Sequence, residues 1–107
     1  MKMLTQENRK ALPKLYSQEN VADPTVVVKF FGIAGLGNWT WYATEGEPVL
    51  DEETGEEIDF MFFGLVDGFE KELGYFPLSQ LQEPKMGRMP LVERDMYFTP
   101  QPVSNFR

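Results

Sequence analysis

The 107-residue chain has neither cysteine nor histidine. The first absence removes disulfides, thiolate nucleophiles and cysteine-based zinc sites. The second removes the commonest general base and the commonest transition-metal ligand. No apolar run approaches the ~20 residues that span a bilayer, because even Phe60 to Val66 stops at Asp67. Met1-Lys2-Met3-Leu4 carries a positive charge but opens no apolar stretch of signal-peptide length, so the chain reads as a soluble cytoplasmic protein. No internal repeat, linker or low-complexity tract interrupts it, apart from one acidic stretch. Basic residues are the scarcer sign, 10 against 17 acidic, for a net charge of −7. What the chain has is apolar and aromatic content, 42% and 14%, enough for one small core and too much for disorder. A domain of this size buries only about two-thirds of its unfolded surface, so nearly all the aromatics are needed to fill that core. Residues 1–107 are therefore read as a single domain, with no cofactor or metal implied.

Local pattern assigns the elements. Thr5 is suited to cap a helix that ends at Leu12, because Pro13 disfavours helical geometry in the residue before it. Val26 to Phe31 reads as a strand, and Gly32 to Gly37 as a connection to a second strand, Asn38 to Glu45. On that second strand Trp39, Trp41 and Ala43 share one face, and Thr40, Tyr42 and Thr44 the other. Val49-Leu50 and Ile58 bracket Asp51 to Glu57, a hairpin turn in which Gly55 supplies the left-handed residue. Phe60-Met61-Phe62-Phe63 is apolar on both faces, as a central strand would be. Tyr75-Phe76 begins a short strand, Ser79-Gln80-Leu81-Gln82 matches a capping box cut short by Pro84, and Leu91 to Phe98 reads as the last strand. Connections this short force mostly antiparallel pairing. The expected class is α+β, a mainly antiparallel sheet of four to six strands with a short N-terminal helix and a helix of one to two turns near residue 80.

Six blocks, in order, also resemble a known family: Leu4-Thr5-Gln6 through Leu12-Pro13-Lys14-Leu15-Tyr16; Val28-Lys29-Phe30-Phe31; Trp39 through Glu45; Phe62-Phe63-Gly64-Leu65-Val66; Glu72 through Ser79; and Pro90 through Asp95. The family is domain of unknown function 2958. The resemblance covers nearly the whole chain and implies a stand-alone small protein of bacteria, plasmids, conjugative elements or phages. It lends no catalytic residue.

Charge is distributed unevenly. Glu45, Glu47, Asp51, Glu52, Glu53, Glu56, Glu57 and Asp59 place eight carboxylates in fifteen residues without a lysine or arginine, and the rest of the chain is nearly neutral. On a hairpin with legs rising roughly 3.3 Å per residue, that is one charge per ~3 Å. A DNA strand carries about one phosphate per 3.4 Å. The expectation is a non-enzymatic protein-binding module of a mobile element. Its acidic hairpin would mimic nucleic acid and inhibit a host enzyme of restriction or CRISPR type. A solvated hairpin that keeps a sheet edge unpaired accounts for the same residues.

Two other readings use other residues. Arg9, Lys10 and Lys14, with Trp39 and Trp41 as a stacking platform, would bind single-stranded nucleic acid, although net charge opposes it and inward tryptophans are usually core. A small carboxylate hydrolase is the third. Asp67 with Glu83-Pro84-Lys85 has the letters of a nuclease motif but lies in a turn, and the Glu93/Asp95 spacing is what any strand produces. The loop starting at Asp51 fails the calcium pattern at three positions, and Gly32 to Gly37 leads into a strand where a phosphate loop needs a helix. Arg94, on a face with Val92, Met96 and Phe98, is expected to pair with Glu45 or Glu70.

Overall fold

The structure is a computed structural model that describes residues 2–107. Helix α1 (Gln6–Ala11) begins where the sequence places it. The Thr5 hydroxyl accepts the Asn8 N–H at 3.0 Å, and the Asn8 side chain accepts the Thr5 N–H at 3.0 Å, a reciprocal box with asparagine in the usual Glu/Gln place. Leu12 turns extended ahead of Pro13 and ends the helix.

Strands β1 (Thr25–Val26), β2 (Val28–Gly32), β3 (Thr40–Leu50), β4 (Glu57–Asp67) and β5 (Lys71–Pro77) follow. Then come helix α2 (Leu78–Gln82) and strands β6 (Lys85–Met86), β7 (Met89–Pro90), β8 (Val92–Arg94) and β9 (Gln101–Pro102). Five of them form an antiparallel sheet in the order β5-β4-β3-β2-β8, so the fold is α+β as expected. No helix among the described residues is long and apolar enough to cross a membrane.

Each face of the sheet carries its own core. On one face Phe30, Ala43, Phe60, Phe62, Phe76 and Val92 meet Leu4, Leu12 and Leu81 from the helical segments. Phe62 is its hub, with ring centroids 5.3 Å from Phe30 and 5.4 Å from Phe76. On the other face Tyr42 and Leu65 pack under Val26 and Val103, and Phe106 stacks on Tyr42 at 4.3 Å. The cover on this second face comes from β1, β9 and the segment after them. It stops short of Phe63, Leu73 and Tyr75, which remain partly or half exposed.

A bulge sets the side-chain parity. Ala43 pairs with Gly64 but Glu45 pairs with Phe63, so Thr44 is an extra residue on β3, and its hydroxyl donates to the Phe63 carbonyl at 3.2 Å. Beyond the bulge, Glu45, Phe63 and Tyr75 lie in one cross-strand row.

Four expectations are corrected. The run from Val26 to Phe31 is two strands, because buried Val26 serves the second core and pairs with Gln101 while Val28 serves the first and pairs with Ala43. The last strand stops at Arg94: the Asp95 carboxylate accepts the Tyr97 N–H at 3.0 Å and closes a turn. Ser79 does not cap α2 but lies inside it, and the cap is supplied by Asp59 of β4, which accepts the Ser79 N–H at 3.1 Å. Arg94 has no carboxylate partner among the described residues and instead donates to the Lys2 carbonyl at 3.0 Å.

Candidate functional site

Strands β3 and β4 run 11 residues each, ~36 Å at 3.3 Å per residue. Pairing with β2 reaches only Ala43 on β3, and pairing with β5 reaches only Met61 on β4. The distal hairpin therefore extends past its neighbours. Its tip is ordered by its own hydrogen bonds. The Asp51 N–H donates to the Glu56 carbonyl at 2.8 Å, and the Asp51 carboxylate accepts the N–H groups of Glu53 and Thr54 at 2.9 and 3.0 Å. Gly55 takes the left-handed conformation at φ 72°, as its place in the turn predicts.

The eight carboxylates of this stretch divide by what they touch. Glu45 is 3% exposed and accepts the backbone N–H groups of Tyr16 and Gln18, both at 2.8 Å. Glu47 accepts the Leu15 N–H at 2.9 Å. These two side chains, with the Gly46 N–H donating to the Pro13 carbonyl at 2.9 Å, fasten residues 13–18 along β3. Asp59 holds α2, accepting the Ser79 hydroxyl at 2.5 Å as well as its N–H. Glu57 takes a bidentate pair from Arg9 at 2.8 and 2.5 Å, and Arg9 also lies over the Phe60 ring, 4.9 Å from its centroid. Asp51 orders its own loop. Only the side-chain carboxylates of Glu52, Glu53 and Glu56 accept no hydrogen bond among the described residues, and they stand with exposed Leu50 and Ile58 on the stem. A continuous track of eight outward charges is thus not what the fold builds. Glu45 and Glu47 anchor the segment that precedes β3, and Asp59 anchors the helix that follows β5.

The alternative residues fare similarly. Arg9 is engaged with Glu57, leaving Lys10 and Lys14 exposed. Trp39 and Trp41 do point the same way, but they stack on each other at 5.9 Å and both are partly buried. Trp39 lies against Gly68, where a Cβ would come within 2.2 Å of the indole. The adjoining Phe69, 95% exposed, is the open aromatic at that end of the sheet.

One concave feature has no counterpart in the sequence pattern. Above the Glu45–Phe63–Tyr75 row lies a cleft of about 340 Å³ whose wall includes Tyr16, Thr44, Leu73 and Val103. Tyr16 leans on Tyr75 with ring centroids 6.0 Å apart and planes tilted by 54°, and Tyr75 contacts Phe63 at 4.9 Å. Tyr16 is held at φ 70°, an uncommon value for a bulky residue, because its N–H must reach Glu45. Burial, then the neighbouring Tyr16 hydroxyl and the charges of Glu45 and Glu19, push the Tyr75 phenol above its ordinary pKa. Nothing local announces this site, since it joins residues 16, 45, 63 and 75.

These contacts set the acid limb of stability. The Arg9 hydrogen bond and charge hold Glu57 below its ordinary pKa. Burial works against the charged form of Asp59, but hydrogen bonds from the Ser79 hydroxyl and the Phe60 and Ser79 N–H groups outweigh it. Asp51 is lowered by the Thr54 and Glu53 N–H groups, and Asp23 by Ser104. A carboxyl whose folded pKa is depressed adds stability that is fully present above its unfolded value and is lost as pH falls through the folded value. The thermal midpoint is expected to stay level from pH 7 to about 5 and to fall below about pH 4, where unfolded carboxyls titrate. In Ser79→Ala the decline should begin at higher pH, because Asp59 loses a stabilising donor; a profile that coincides with wild type would remove Asp59 from the account.

No curated protein and no solved structure matches the chain. The family model described as Protein of unknown function (DUF2958) matches residues 3–107, taking in α1, both cores, the hairpin and the cleft alike. The chain belongs to that family.

Proposed function

We propose that the protein is a non-catalytic protein-binding module whose partner-facing element is the distal hairpin, residues 50–58. The observation that carries this reading is the ordered tip: the carboxylates of Glu52, Glu53 and Glu56 have no partner among the described residues and stand on a turn fixed by Asp51, beside exposed Leu50 and Ile58. A turn already held in shape loses little conformational entropy on docking. Clustered acid steers it toward a basic surface, and the two aliphatic side chains supply apolar contact. The partner is a protein with a basic groove, of the kind that handles nucleic acid. Antagonism of a host restriction or CRISPR enzyme is the strongest form of this reading, with the hairpin entering as an acidic wedge and not as a full phosphate track.

The test compares wild type with Glu52→Gln/Glu53→Gln/Glu56→Gln as bait in a bacterial lysate. A basic partner should be retained by wild type, released by raised salt and lost by the triple variant. Equal capture by both baits, or no protein partner at all, would end the proposal.

A further inference from the structure

The cleft on the second face of the sheet is separate from the hairpin tip and combines two features that point to a ligand. The first is a buried carboxylate without a counter-charge. Glu45 is 3% exposed, its oxygens each accept one backbone N–H, and no lysine or arginine among the described residues lies within ion-pair distance of it. A buried carboxylate is costly where its acceptor directions go unfilled; the two oxygens offer about four, of which the two N–H groups fill two. The second is aromatic. Tyr16 and Tyr75 stand at 61% and 50% exposure with tilted rings, and Phe63 lies beneath Tyr75. Ring faces around an opening attract organic cations through the quadrupole, more strongly when the site is partly desolvated. Glu19 lines the same cleft and adds a second acid, while Arg107 on its wall lies close enough to Asp23 to lower that carboxyl. A volume of about 340 Å³ falls at the small end of ligand sites.

We propose that the Tyr16–Tyr75–Phe63 cleft over Glu45 is a binding site for a guanidinium group. Guanidinium is favoured over ammonium because its planar, weakly hydrated surface stacks on aromatic rings while its edge donates to a carboxylate. Its source is either an arginine side chain of a protein or the free amino acid.

The experiment is an amide-resolved NMR titration of the full chain at constant ionic strength with acetyl-arginine methylamide, its neutral citrulline counterpart and free L-arginine. Saturable shifts are expected at residues 16, 18, 45, 63 and 75 with the arginine amide, at least tenfold weaker with citrulline, and about tenfold weaker in Tyr75→Leu. Tighter binding of the amide than of free arginine would assign the source to a protein chain, and the reverse would assign it to the amino acid. Absence of saturable shifts with either arginine compound, or equal response to citrulline, overturns the proposal even where Tyr75→Leu folds poorly. The triple hairpin variant should bind as wild type does, so the two proposals fail independently.

Discussion

Replacing Glu45 by alanine is expected to lower the unfolding free energy by about 2–5 kcal/mol, although the residue sits in the most acidic part of an acidic protein. Simple charge counting predicts the opposite, since removing one of many like charges should relieve repulsion. The contacts decide. Two backbone N–H groups, of Tyr16 and Gln18, have the Glu45 carboxylate as their acceptor. These donors are part-buried, and each one left unpaired costs up to about 1–3 kcal/mol. Removal also frees Tyr16 from φ 70°, which returns part of that loss as relieved strain. Glu45→Gln should cost roughly half as much, because one oxygen acceptor remains while the amide NH₂ opposes the other N–H. Urea unfolding gives the free energies, and trypsin cleavage after Lys14 reports whether residues 13–18 have come away from β3. A loss under about 1 kcal/mol with no new cleavage would show that the segment is held by something else.

Features of the fold that rest on neighbours in sequence were legible. Thr5 finds its partner three residues on, Gly55 occupies a turn that needs a positive φ, and the β4 aromatics reveal an interior strand by composition. Those that rest on distant partners were not. Asp59 and Ser79 each carry a valid local signature, a surface acid and a helix cap, yet they satisfy one another across twenty residues. The bulge at Thr44 has no mark in the sequence; the alternation that places Trp39, Trp41 and Ala43 on one face holds up to it and is reversed beyond it. Past the bulge, parity by counting puts Glu45 on the wrong side. The acidic stretch was visible as composition, but composition does not say which carboxylates the N-terminal segment and α2 will use. The cleft joins four segments and was invisible for the same reason.

A contrast between two glycines tests the bulge directly. Gly64 and Gly74 face each other across β4 and β5, so they share one row of the sheet. A methyl group on Gly74 meets nothing within 4 Å. On Gly64 it would stand 1.8 Å from the Tyr42 carbonyl oxygen, 2.8 Å from that carbonyl carbon and 3.0 Å from the Ala43 Cα. All three atoms are backbone of β3, the middle strand, so no rotamer change can relieve them. Relief requires β3 and β4 to separate where the bulge brings them together. Alanine in place of glycine ordinarily gains about 0.4–1 kcal/mol by restricting the unfolded chain, and Gly74→Ala should show that gain or no change. Gly64→Ala should lose about 3 kcal/mol or more, a drop of at least ~12 °C in the thermal midpoint for a domain of this size. Matched melting curves for the two variants would refute the close approach, and with it the parity shift that turns Glu45 toward Tyr16.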